Sequence, residues 1–356
     1  MNPRLDINYE KLVHNTRILT KKAEQQGIVV AGVTKVFQGN PAVAQAYIDG
    51  GVQHLADSRI SNLSKLTSLS VPKILLRIPM HSEIGDVVKY ADISLNSELS
   101  TLKLLNEEAK IQAKIHGVIV MVDLGDLREG IFSDKEFNKT IMEIKELQFI
   151  DVKGIGVNLT CHGGVIPTEK NLSKLVAYGK RIEEILGHEL EIYSGGNSSS
   201  VYLLDQKKLH PKINHLRLGE AFVLGTESAY GEKIPNTHQD IFQLVGEIVE
   251  LKEKPSVPIG EIGMDAFGNT PSFEDRGIRK RAILAVGKQD FGSYDLFPVE
   301  EDITILGSSS DHLIIDVTNS KLNYRVGDEV RFNLRYGALL SLLTSPYVHK
   351  NIIKEL

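Results

Sequence analysis

The chain has 356 residues, of which 42% are hydrophobic and 24% charged, with a formal net charge of −5. This is the balance of an ordinary globular protein, and the negative sign argues against a nucleic-acid or anionic-membrane surface and for a small-molecule ligand. The length exceeds the roughly 250 to 300 residues at which single cores stop growing, so two domains are expected.

The first ten residues hold no cleavable apolar segment, and no apolar run approaches the roughly 18 residues that cross a bilayer, so a cytoplasmic protein without a membrane span is expected. Cys161 is the single cysteine, which excludes an internal disulfide. The eleven histidines form neither an HExxH motif nor a Cys/His ligand spacing, so no structural metal is expected.

Leu5 to Asn8, followed by a helical run through Leu12, Ile18 and Leu19, precede the first strand of the main repeat and are expected to pair with a second domain. Strands are expected at 28–33, 54–57, 74–78, 93–95, 118–122, 154–159, 190–193 and 215–218. Helical spacing of leucine and isoleucine falls between them, at 41–49, 99–113, 135–147 and 172–186. Eight strands alternating with helices imply a TIM (β/α)8 barrel, because a doubly wound sheet would use fewer strands and a glycine-rich turn after the first, whereas this first strand ends in Gly-Val-Thr-Lys.

Beyond residue 235 the pattern turns β-rich without long helices, with strands expected at 243–251, 279–286, 303–306, 312–317 and 329–334. The expected organisation is therefore a barrel over 1–235 and a mostly β domain over 236–356. Residues 256–275, rich in glycine and proline, form a long connection and a candidate functional loop.

Reacting groups of TIM barrels sit at the C-terminal strand ends. Lys35 leaves the first strand there, where neighbouring walls can desolvate an amine into a nucleophile; the plainer reading is a solvated lysine. Arg128, after the fifth strand, suits a bidentate grip on a carboxylate or an ordinary salt bridge. The segment 194–200 leaves the seventh strand with two glycines and several hydroxyls, which fits a phosphate cradle or a capped turn. Arg217-Leu-Gly-Glu ends the eighth strand, and the loops after strands seven and eight are where such barrels commonly bind phosphate.

On Val33-Thr-Lys35, Leu55-Ala-Asp-Ser-Arg59, Val122 to Gly130, Gly154 to Thr160, Asn197-Ser198, Arg217-Leu-Gly219 and Ser310 to Asp316, taken in order, the chain resembles the fold-type III pyridoxal-phosphate racemases of the alanine racemase superfamily, in particular the ornithine racemase branch. The resemblance runs through essentially the whole chain. It implies pyridoxal 5'-phosphate held covalently by Lys35, which exchanges the substrate's α-proton on one face. It also implies a phosphate held by Ser198 and the Gly219–Glu220 backbone, and Arg217 opposite the pyridine nitrogen. Arginine keeps its proton, which limits charge spread into the ring and suits proton exchange over decarboxylation.

Arg128 falls where the superfamily steers the cofactor hydroxyl or the substrate carboxylate, and Asn158 where a histidine commonly meets the cofactor ring. The partner-subunit tyrosine expected as second acid/base is replaced within 260–268, where Asp265 or Phe267 takes its position according to alignment. Asp265 is the preferred second acid/base; Cys161 is an alternative if its thiol ionises, and His162, Tyr230 and His312 are weaker ones. For the cationic tail of ornithine, Asp57, Asp126, Asp265 and Asp311 are the carboxylates to consider, and an Asp311 that reaches a neighbouring site would make the enzyme a homodimer with shared active sites. Rival readings are a racemase of alanine, lysine, arginine or serine, a lyase or decarboxylase on the same barrel, and a protein that binds pyridoxal phosphate without turnover.

Overall fold

The computed structural model describes residues 1–265 and 267–354. They divide into two compact units, Glu10–His238 and, together, Met1–Tyr9 with Gln239–Leu356. The first strand, β1 (Arg4–Asn8), belongs to the second of these.

In the first unit β2 (Val29–Val33), β3 (His54–Asp57), β4 (Lys73–Leu75), β5 (Ile93–Asn96), β6 (His116–Met121), β7 (Ile150–Gly156), β8 (Ile192–Ser194) and β9 (His215–Leu218) form a closed barrel. Every neighbouring pair is parallel, and Val29–Gly32 of β2 lie against His215–Leu218 of β9 to close the ring. Side chains alternate across each strand. On β6, Ile119 and Met121 therefore join Ala31, Val33, Ala56, Ile74 and Leu95 in one buried cluster inside the barrel, whereas Val118 and Val120 pack outward against Phe137, Ile141, Leu172 and Leu175 of the surrounding helices.

The helices begin and end where their caps dictate. Asn40 accepts the amides of Ala42 and Val43 ahead of Pro41–Asp49. Thr168 and Asn171 form a reciprocal capping box on Glu169–Leu186, which Gly187 ends at φ +79°.

Strand limits differ from the expected ones where barrel pairing overrides apolar runs. The run expected at 154–159 begins earlier, at Ile150, and pairing stops at Gly156 because Gly154–Gly156 match the three residues Ile192–Ser194 of β8. Val157 and Leu159 stay buried beyond it, but they line the loop rather than the sheet.

In the second unit, β10 (Phe242–Pro255), β11 (Ile278–Leu284), β12 (Leu296–Pro298), β13 (Thr304–Ser308), β14 (Leu313–Asp316) and β15 (Glu329–Leu334) follow the order β12-β15-β10-β11-β14-β13. β1 pairs antiparallel with β10 and parallel with β16 (His349–Ile353). Two short helices, Lys288–Phe291 and the nine-residue Tyr336–Thr344, accompany the strands of this mostly β unit; in the second, Ala338, Leu339, Leu342 and Leu343 bury one face at helical spacing. Among the described residues no helix is long and apolar enough to cross a membrane.

Candidate active site

Lys35 opens a single 3-10 turn, Lys35–Phe37, directly beyond β2; Val36 and Phe37 are buried and Lys35 is exposed at the C-terminal mouth. The turn is fixed from below by Thr34, whose amide bonds the Ala56 carbonyl at 2.8 Å and whose hydroxyl donates to Asp57 Oδ2 at 2.7 Å. Asp57 Oδ1 takes the Arg59 amide at 2.9 Å and Asn62 Nδ2 at 3.0 Å. With 0% of its surface exposed, Asp57 has no face for a substrate. Its burial raises its pKa against the lowering effect of these hydrogen bonds, and its place is behind the lysine turn rather than on the substrate side.

On the far side of the mouth a polar chain runs inward. Arg128, exposed, forks onto Glu129, with a 2.6 Å bond between its Nη2 and Oε1. Glu129 accepts from Asn158 Nδ2, and Asn158 Oδ1 accepts from Arg217 at 2.7 Å. Arg217, only 2% exposed, also donates to the Val157 carbonyl at 2.7 Å and to Ser194 Oγ. Ser194 Oγ lies 2.8 Å from His215 Nδ1. Its direct partners being neutral, burial pulls the Arg217 pKa down to about 10. Asn158 is thus the link between Glu129 and Arg217, a role sequence reasoning left undefined.

Ser198 begins the short 3-10 turn beyond β8 and is buried. Its hydroxyl oxygen receives the amides of Gly219 at 3.4 Å and Ala221 at 3.1 Å, from the loop beyond β9. A Cβ at Gly219 would come within 3.1 Å of Val33 Cβ, so this bare backbone keeps the two strand ends close. The Gly219 and Ala221 amides thus go to Ser198, and Glu220 between them is half-buried.

Other candidates behave differently. Asp126, 1% exposed, accepts the amides of Cys161 at 3.1 Å, His162 at 2.9 Å and Val165 at 3.0 Å, so it organises the loop beyond β7. Cys161 is exposed, but desolvation by the surrounding atoms raises its thiol pKa, with Glu129 and Asp126 acting in the same direction against Arg128 and Arg217; an ionised Cys161 is not what this setting favours. Tyr230 is exposed and meets Tyr202 edge-on at 5.3 Å.

In the second unit Asp265 is exposed, and its Oδ1 caps the amides of Phe267 and Asn269 at 2.9 and 2.8 Å. Those bonds lower its pKa, so Asp265 is a weak proton holder in this setting. Phe267 lies under the Lys288 amine at 4.0 Å. Asp311 is exposed and pairs with His312 Nδ1 at 3.0 Å.

Residues 7–227 match the family model described as "Alanine racemase, N-terminal domain". The chain is 51% identical over 353 residues to an ornithine racemase of Acetoanaerobium sticklandii, covering 99% of this chain and 100% of that one. It is 39% identical to a lysine racemase of Thermotoga maritima, covering 98% of each. Its fold is shared by the alanine racemase of Bartonella henselae with covalently bound pyridoxal phosphate, with a TM-score of 0.76 at 19% identity over 99% of this chain and 100% of that one. A closed parallel barrel with a separate β-rich unit is the fold that this chain shares with solved alanine racemases. The chain belongs to the alanine racemase family.

Proposed function

We propose that this chain is a pyridoxal-phosphate-dependent racemase that interconverts L- and D-ornithine. What carries the reading is that one barrel mouth holds an exposed lysine, a buried guanidinium and a two-amide hydroxyl cradle, the three features that amine, ring and phosphate of this cofactor require. The residues fit the group. The Ser198 hydroxyl and the Gly219–Glu220 backbone meet from two loops and suit a phosphate; among the described residues no carboxylate bonds Arg217 directly, which leaves its positive charge for an acceptor atom; Lys35 supplies the amine.

Pyridoxal phosphate, when bound, supplies an aldehyde that joins amines and a ring that draws electrons from the α-carbon. The rest is the work of this chain. Lys35 carries the α-proton on one face of the mouth. Arg217, at about 10, keeps its proton near neutral pH and acts as a donor that does not protonate its partner. Arg128 offers a fork at the mouth to a substrate carboxylate, held in place by Glu129. Asp265 is assigned the opposite-face proton: Oδ1 anchors it, and among the described residues Oδ2 is met by Asn269 Nδ2 alone, at 3.4 Å. Its lowered pKa means the role requires a change of surroundings on assembly.

A cytoplasmic homodimer with shared active sites completes the proposal. It is supported by the absence of disulfide-forming cysteine pairs and by exposed apolar side chains of the 256–278 segment, among them Ile259 at 92% and Met264 at 77%. The deciding experiment is the visible absorbance of the purified protein near about 420 nm before and after borohydride, followed by polarimetry on L-ornithine, L-lysine and L-alanine. A reducible chromophore absent from Lys35→Ala, with loss of ornithine rotation, is expected. A chromophore without racemisation leaves a binding protein or lyase, and no chromophore after cofactor addition refutes the assignment of Lys35.

A further inference from the structure

Which group recognises the substrate side chain is decided by where each carboxylate's lone pairs go. Around the barrel mouth, Asp57, Asp123, Asp126, Glu129 and Glu227 all have oxygens filled from within the fold. Asp123 Oδ1 takes the amides of Gly125 and Leu127 at 2.8 and 3.2 Å, and Glu227 takes those of Ala229, Tyr230 and Glu232 at 2.8 to 3.3 Å. Asp57, Asp126 and Glu129 are engaged as described above. These groups hold loops in place; of the oxygens of Asp57, Asp123 and Glu227, Asp123 Oδ2 alone takes no hydrogen bond from the described residues.

Glu220 differs. It is half-buried, and among the described residues no hydrogen bond reaches its carboxylate. Its position follows from strand register: Gly32 of β2 lies beside Leu218 of β9, so Lys35 and Glu220 leave neighbouring strands three and two residues further on, at the same end of the barrel. The close approach of Gly219 to Val33 keeps those two exits together. Burial raises the Glu220 pKa, opposed by the charge of Lys35 and reinforced by that of Glu227. A carboxylate drawn partly out of water without a bonded partner is unfavourable, so it is a place where an incoming cation gains more than it would in solvent. In the reading above Lys35 is occupied with the cofactor and the α-proton, so its charge beside Glu220 changes during turnover.

We infer that Glu220 is the specificity-determining residue for the side chain, its carboxylate receiving the terminal ammonium of a diamino acid of ornithine length. This rests on the functional reading above and replaces Asp57 and Asp311 as the group for the cationic tail. Uncharged side chains of the same length would leave Glu220 unpaired and are disfavoured for that reason.

The test compares L-ornithine with L-norvaline, which has the same carbon chain without the amine, on the cofactor-loaded enzyme. Racemisation kcat/KM is measured for both, and dissociation constants are read from the visible spectrum. In Glu220→Gln the ornithine-over-norvaline preference is expected to fall about 10- to 100-fold in both measurements, the worth of one hydrogen bond to a charged group. Glu220→Asp, which keeps the charge but draws it back by one methylene, should move the preference from ornithine toward lysine, and answers the question if Glu220→Gln does not fold. A preference that stays within about twofold in the variants, or an equal loss on both substrates, overturns the inference. If the wild type racemises no amino acid, the functional reading falls and takes this inference with it; an unchanged preference in an active variant overturns the inference alone.

Discussion

Acidification should loosen the barrel through His116. The imidazole sits at the start of β6 with 2% of its surface exposed and Ser94 Oγ 2.8 Å from Nε2, and burial pulls its pKa from 6.5 to about 4, partly opposed by Asp92. A histidine depressed in the fold takes its proton more readily in the unfolded chain. Stability is therefore intact above about pH 6.5 and is lost as pH falls from there toward about 4, where the folded form also begins to protonate. At about 1.4 kcal/mol per pH unit between 6.5 and about 4, the depression is worth about 3 kcal/mol in total, most of it already lost by about pH 4.5. Urea midpoints of wild type and His116→Gln, at equal cofactor loading and at steps between neutral and about pH 4.5, isolate the contribution, because the other titrating groups are common to both proteins. The wild type should lose about 2 kcal/mol more than the variant over that range. Parallel curves, within about 0.5 kcal/mol, would show that the imidazole is not desolvated as argued.

Ser198→Ala removes the hydroxyl on which two loop amides converge, and should weaken pyridoxal phosphate binding about 10- to 100-fold in an absorbance titration, with an affinity within twofold of wild type counting against the cradle. Arg217→Lys keeps a charge but loses the planar fork that serves Val157, Asn158 and Ser194 together; unsatisfied buried acceptors should lower the melting temperature by roughly 5 to 10 °C in calorimetry. Asp126→Asn puts an amide where three backbone N–H groups converge, and should raise hydrogen exchange at Cys161 to Val165 at least about tenfold, since a bond to a charged group is worth about 1.5 to 3 kcal/mol. Asp265→Asn should abolish racemisation while leaving α-proton exchange from one enantiomer in deuterated solvent; equal survival of exchange from both enantiomers would remove Asp265 from the reaction.

The barrel was readable because its strands are β-branched or aliphatic runs broken by helices of regular spacing, and the mouth residues because they follow those strands directly. Sequence does not carry the destination of a lone pair. Asp57 and Asp126 look like ligands for a cation when read as carboxylates in mouth loops, but their oxygens are filled by Thr34, Arg59 and Asn62 in one case and by a row of amides in the other. Nor does it carry contacts across the ring: Ser194 and His215 meet because β8 and β9 pair at those residues. The helix Tyr336–Thr344 went unexpected because its leucine pairs sit next to a β run, and four-residue spacing over nine residues is easily taken for a strand's apolar core.

The two ends of the polar chain explain why its middle is an asparagine. Ser194 receives Arg217, a group that can only donate, so its own hydrogen is directed to His215 Nδ1. Burial holds His215 well below its usual pKa, which keeps it a neutral acceptor. On the other side Asn158 gives its oxygen to Arg217 and its amide to Glu129, transmitting the carboxylate's influence without placing it in contact with the guanidinium. A carboxylate at 158 would neutralise Arg217 directly and leave less of its charge for an acceptor above it; a protonated imidazole would repel it. The neutral amide satisfies both neighbours and leaves the buried charge uncompensated at the point where the proposed reaction needs a donor that keeps its proton.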